Sequence, residues 1–191
     1  MEWMIIVNWL ARIILVLLCG MSIYAVSIIL ERNKFFKNNS LSLVHEKLIN
    51  LIEHKEFQKM TEFLAKENLF SAQIFMAINS DLSLKQIQNI GQLKFKKQEE
   101  GNLSVLGTFG STAPFIGLLG TVFGIIVAFG ELSTGKVDSN SIMFALAEAL
   151  ILTAVGLVVA IPSVISFNLY SKKLKQERER VYLIQELIKN N

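Results

Sequence analysis

Residues Phe144 to Pro162 read FALAEALILTAVGLVVAIP, a helix-length run in which a single carboxylate, Glu148, stands among apolar and small residues. An ionisable group deep in hydrocarbon costs roughly 2.5–3.5 kcal/mol on insertion scales, so such residues usually face a bundle interior, a water-filled path or a partner. Glu148 is therefore a candidate site residue. In the same run Ala149, Thr153, Gly156, Ala160 and Ser163 follow one another at intervals of three and four and share one helix face. Small side chains on one face let membrane helices approach closely, so this helix is expected to be surrounded by protein.

Working outward, the 191-residue chain is 52% apolar, with its apolar residues gathered in long blocks. That composition excludes an ordinary soluble domain. Three runs are long enough, at about 1.5 Å per residue, to cross a hydrocarbon core of roughly 30 Å: Ile13–Leu30, Leu103–Gly130 and Ser139–Ser171. The expected class is an all-α membrane protein. Its predicted parts are an extracytoplasmic N-terminus (1–12), a first span (13–30), a helical cytoplasmic region (31–102), a second span (103–130), a periplasmic turn (131–140), a third span (141–170) and a cytoplasmic tail helix (171–191).

The net charge of +3 marks topology rather than an anionic partner. Of the 19 Lys and Arg, 11 lie in residues 31–110 and 6 in 171–191, with Arg12 before the first span and Lys136 between the last two. The positive-inside rule then places the N-terminus and the 131–140 turn outside, and the middle segment and tail in the cytoplasm. Nine Asp and Glu share segment 31–110, which excludes a nucleic-acid-binding stripe. Cys19 is the single cysteine and reads as apolar filling.

The N-terminal stretch MEWMIIVNWLAR does not read as a signal peptide, because the apolar run is long, lacks a small-x-small cleavage site and is followed at once by ERNKFFK. Trp3 and Trp9 suit the outer interface, with Arg12 snorkelling to the same level. A gating role for Arg12 is the alternative, and the anchor reading is preferred. Between Glu31 and Asn102 helical spacing recurs at Leu41, Val44, Leu48 and Leu51 and at Phe57, Met60 and Leu64. Leu69–Ile78 is too short to span and is expected in a cytoplasmic helical hairpin. His45 and His54 have no metal-ligand spacing around them, and no metal or cofactor is expected. In the tail, Val181, Ile184 and Ile188 form a thin apolar stripe beside a basic group, Lys172, Lys173 and Lys175, that suits lipid headgroups.

The second span carries the densest pattern, GSTAPFIGLLGTVFG over 110–124, with Pro114, Gly117, Thr121, Gly124 and Ala128 on one stripe. Read structurally, this is a close-packing face with a proline kink, Pro114 removing a backbone donor and loosening the turn before it. Gly120 belongs to the same packing set, and Gly156 and Pro162 are its counterparts in the third span. The short polar turn makes the two spans an antiparallel hairpin. With its centre near Val137, Thr121 and Thr153 are both sixteen residues away, which puts the two hydroxyls level, roughly 24 Å down the helices. Glu148 is roughly 7–8 Å nearer the outside than Thr153 and about 140° round the helix, so the two need not face the same cavity.

Three spans, a cytoplasmic insert after the first, and the sequences TAPFIGLLGTVFGIIVAF and LAEALILTAVGLVVAIPSVISFNLY resemble the ExbB/TolQ/MotA family of proton-channel subunits. The resemblance covers Pro114–Phe129 and Ala147–Tyr170 strongly and Leu30–Phe36 loosely. It implies a homo-oligomeric ring, a pentamer, around a dimer of a single-span ExbD/TolR-like partner whose transmembrane Asp carries the proton. It also implies a TonB/TolA-like protein as the recipient of the work, in the bacterial inner membrane. By position it assigns Thr121, Glu148 and Thr153 to the proton path or partner-facing surface, and Pro114 to the inner end of the second helix. The chain has three spans where MotA-type members have four, and its shortness leans toward the ExbB type, energising outer-membrane uptake of iron complexes or cobalamin. The TolQ type, serving the Tol-Pal envelope system, and a non-conducting membrane scaffold are the alternatives. An enzyme is not expected, since no cluster offers a nucleophile with a base, a metal set or a phosphate loop.

Overall fold

In the computed structural model the described residues are 2–38, 99–133 and 139–190, with scattered positions between 47 and 97. They form three long helices, α1 (Glu2–Asn38), α2 (Ser104–Ser133) and α3 (Ser139–Asn190), with a short π-turn over Glu99–Leu103 before α2. Each of the three contains a segment long and apolar enough to cross a membrane: Ile5–Lys37, Gly101–Ser133 and Ile142–Ile184. At 52 residues α3 runs to about 78 Å, far longer than a bilayer core, so the third span and the charged tail are one helix. The expected hairpin at Leu69–Ile78 and the helix faces around Leu41–Leu48, Phe57 and Met60 lie outside the described residues.

Pro114 and Pro162 both sit inside continuous helices. A backbone break falls at Gly101, whose φ of −69° and ψ of −137° are not helical. Upstream of Pro114 the Thr108 hydroxyl donates to the Ser104 carbonyl (3.1 Å), and Ser111 and Thr112 donate to the Thr108 carbonyl (3.0 and 2.8 Å). Downstream of Pro162, Ser163 donates to the Val159 carbonyl (2.7 Å). Hydroxyls bonding back to their own helix let polar side chains sit in apolar surroundings without a partner helix.

The described chain divides into two compact units. The first comprises Met1–Ile29 and Ser104–Phe167. Its α2/α3 seam is built from residues too small to hold the backbones apart. A Cβ added at Gly117 would stand 2.7 Å from the Leu152 carbonyl oxygen, and one added at Gly156 would stand 2.7 Å from that of Ala113. Gly110 faces Val164 and Gly124 faces Ala149 with no room for a methyl group. From Gly107 opposite Phe167 to Gly124 opposite Ala149, the contacts run antiparallel. Across this seam α1 lays the buried stripe Ile14, Leu18 and Met21 against Ala113, Val159 and Ala160. Tyr24 meets Phe109 edge-on, with ring centroids 6.1 Å apart. The outer faces are apolar and open, with Val16, Ile23, Phe115, Phe129, Phe144 and Val158 exposed, as expected of surface that meets lipid or other subunits.

The second unit comprises Leu30–Leu103 and Asn168–Asn191. Phe36 stacks on Tyr170 at 5.4 Å with planes 2° apart, and the Lys173 ammonium lies 5.6 and 5.8 Å from the two ring centroids. Asn102 donates to Glu31 (2.6 Å), and the buried Arg32 lies over Phe35. Val181 and Ile184, from the predicted tail stripe, are fully buried.

Candidate functional site

The small-residue faces bring two hydroxyls to the α2/α3 seam. Thr121 is buried on α2 between Gly120 and Gly124 and donates to the Leu118 carbonyl of its own helix (2.7 Å). Thr153 lies on α3, its Cα 3.1 Å from where a Gly117 Cβ would be. With Gly117 and Gly120 facing Leu152 and Gly124 facing Ala149, Thr121 and Thr153 are within about a turn of each other along the hairpin. The two hydroxyls differ in one respect. That of Thr121 is engaged, whereas Thr153 Oγ1 is shielded from solvent and has no hydrogen-bond partner. A shielded hydroxyl without a partner is uncommon, because leaving it so costs about 1–3 kcal/mol. It can both donate to and accept from a water or a carboxylate brought to it.

Glu148 is placed elsewhere. It precedes Ala149, which is pressed against Gly124, and its side chain is exposed at a cavity of about 110 Å³ between α1, α2 and α3. The cavity wall includes Asn8 and Arg12 of α1 and Gly124 of α2. Neither threonine lines it. The three predicted path residues thus occupy two places about a helix turn apart, a close-packed seam and a partly open cavity. Arg12, read from sequence as an interface anchor, joins the cavity, its guanidinium carbon 5.8 Å from the Trp9 ring centroid. Sequence reasoning paired α2 with α3 through their short turn but had no such turn to bring α1 into register, and so did not put Arg12 beside Glu148.

The packing residues fall as a group on the seam. Gly117, Gly120, Gly124 and Gly156 all lie within contact of the opposite helix, and Pro114 is half-buried one turn before Gly117. Pro162 is exposed.

The profile of the MotA/TolQ/ExbB proton channel family matches residues 50–182, more than half of the chain. Among curated relatives, a biopolymer transport protein ExbB of Aquifex aeolicus is 37% identical over 117 residues, covering 57% of this chain and 78% of that protein. A biopolymer transport protein ExbB of Xanthomonas campestris is 47% identical over 74 residues, 38% of this chain but only 29% of that longer protein. The Tol-Pal system protein TolQ of Pseudomonas aeruginosa is 35% identical over 109 residues, 55% of this chain and 47% of that protein. The family is one of transport proteins rather than enzymes. Three membrane-length helices, a glycine seam carrying two hydroxyls, and these matches lead to one assignment: the chain is a multi-pass membrane protein and an ExbB-like member of the MotA/TolQ/ExbB proton channel family.

Proposed function

We propose that the chain is the ring-forming subunit of an inner-membrane proton-driven motor. Thr153 and Thr121 contact the proton-carrying carboxylate of a single-span ExbD-like partner, and Glu148 serves the outer end of the path. The observation that carries this reading is the unpartnered, solvent-shielded Thr153 hydroxyl, within about a turn of Thr121 along the hairpin. It supplies a hydrogen-bonding group with no fixed charge where a partner carboxylate or its water would pass. The N-terminus and the connection between α2 and α3 face the periplasm, while the 31–102 segment and the tail are cytoplasmic, a reading supported by the distribution of Lys and Arg. Within the apolar runs 13–30, 103–130 and 139–171 Glu148 is the one carboxylate, so transduction requires the partner's own acid. The assembly is a pentamer around two copies of that partner, and its work passes to a TonB-like protein for outer-membrane uptake of iron complexes or cobalamin.

The test measures proton-dependent uptake in cells carrying Thr153→Val or Glu148→Ala at normal protein levels. Loss in both supports the path, and uptake intact in both removes it. A defect confined to envelope integrity and division, with uptake unaffected by deletion of the chain, would assign the Tol-Pal role instead, which the TolQ match favours. Function that survives collapse of the proton gradient would leave a scaffold.

A further inference from the structure

The cavity beside Glu148 has a chemistry that the proton-path reading does not use. Its wall is mostly Ala, Leu, Val, Ile and Gly, and the polar side chains among the described lining residues are Asn8, Arg12 and Glu148. Two exposed side chains of opposite charge on different helices therefore line one partly open, mostly apolar cavity of the first unit. No hydrogen bond or ion pair joins them directly. The cavity of about 110 Å³ has room for several waters, each needing about 10–15 Å³. Arg12 lies over the Trp9 ring, and a guanidinium held by its face keeps in-plane donors for a carboxylate or its water.

A membrane-level charge usually pairs with another charge or faces water. An anchor that merely snorkels needs no carboxylate beside it. Arg12 and Glu148 each supply what the other lacks: a forked set of donors and a pair of acceptor oxygens. Attraction between them is that of charges near a protein surface, above its value in bulk water but well below that of a buried pair. Asn8, about one turn before Arg12 on α1, adds a neutral amide to the same wall, suited to holding the bridging water.

We infer that Arg12 is the counter-charge of Glu148, coupled to it across the α1/α3 cavity through water, and that it acts as a positioning residue for that carboxylate. Its functional consequence rests on Glu148 belonging to the proton path, but the pair itself does not. The pair ties α1 to the outer end of the α2/α3 hairpin, so movement of α1 would be felt at Glu148.

The experiment is a double-mutant cycle on the full chain, extracted with its co-expressed single-span partner and read in two ways. The first reading is thermal stability of the purified complex for Arg12→Met, Glu148→Gln and the combination. A coupled pair gives a combined variant no less stable than the worse single one, and Arg12→Lys stays near the parent. Thermal losses that simply add overturn the pair, whatever happens to transport. The second reading is proton flux into vesicles containing the complex. Arg12→Met is expected to lower it by about tenfold, the change that about 1.4 kcal/mol converts to, with the double variant no worse than Glu148→Gln alone. If stability is coupled while Glu148→Gln leaves flux unchanged, the pair stands and the path assignment of Glu148 falls. If stability is coupled and Glu148→Gln lowers flux while Arg12→Met leaves it unchanged, Arg12 is not a positioning residue and that part of the inference is overturned.

Discussion

At the scale of single residues, the two threonines of the seam are chemically alike but differently placed. The Thr121 hydroxyl is already used by its own helix, so Thr121→Val removes one backbone bond and about 0.5–1.5 kcal/mol of stability. The Thr153 hydroxyl has nothing to lose in the isolated subunit, and Thr153→Val, nearly the same in shape, is expected to leave thermal stability within about 1 kcal/mol or raise it slightly. Proton flux should behave in the opposite order. Removing the Thr153 hydroxyl is predicted to lower flux by about tenfold or more, and Thr153→Ser to keep most of it, because serine retains the donor and acceptor. A thermal melt and a vesicle flux assay on the same four preparations check both orders. A Thr153→Val protein that melts early and also fails to conduct would mean the hydroxyl holds the fold.

At the scale of elements, the α2/α3 seam depends on the absence of side chains at a few points. At Gly117 and Gly156 the obstacle to a methyl group is opposing backbone, which cannot rotate away as a side chain can. Gly156→Ala is therefore predicted to destabilise by about 1–3 kcal/mol, the usual range for overpacking, and Gly156→Leu to prevent the hairpin from closing. Gly20 on α1 has no atom within 4 Å of where its Cβ would be, and Gly20→Ala should be neutral or stabilising by up to about 1 kcal/mol. Protease resistance of the membrane-embedded chain separates these cases, and equal loss for the two alanine variants would refute the seam as the source of the effect. This seam was largely legible in the sequence. Ala149, Thr153, Gly156, Ala160 and Ser163 repeat at helical spacing, the 131–140 turn is short, and the two facts together set an antiparallel register. The place of α1 was not legible, because some seventy residues separate it from α2 and no turn fixes its register. Hence the Ile14–Leu18–Met21 stripe was seen as an apolar run without a direction, and Arg12 as an anchor without a neighbour. The break at Gly101 was also hidden, since Pro114 offered the louder signal and glycine in a polar EEGN context marks a turn only weakly.

At the scale of the whole molecule, the subunit leaves much apolar surface open. Large apolar side chains are exposed along all three helices, including Val16, Ile23, Phe115, Phe129, Phe144 and Val158. Lipid tails or neighbouring subunits can cover such surface. The membrane part also has too few acids to carry protons by itself, with Glu148 the one carboxylate in the apolar runs 13–30, 103–130 and 139–171. A subunit built this way is expected to purify as a complex. Native mass measured after gentle extraction, with the neighbouring single-span protein co-expressed, is predicted to equal five copies of this chain and two of the partner. The same measurement on Gly156→Leu should give no such species, because the outer surfaces that meet other subunits are oriented by the seam beneath them. On Thr153→Val the five-to-two mass should persist if that hydroxyl serves the proposed proton path rather than the assembly. A five-to-two complex lost in Thr153→Val but kept in Gly156→Leu would reverse both assignments, making the hydroxyl an assembly contact and the glycine seam dispensable.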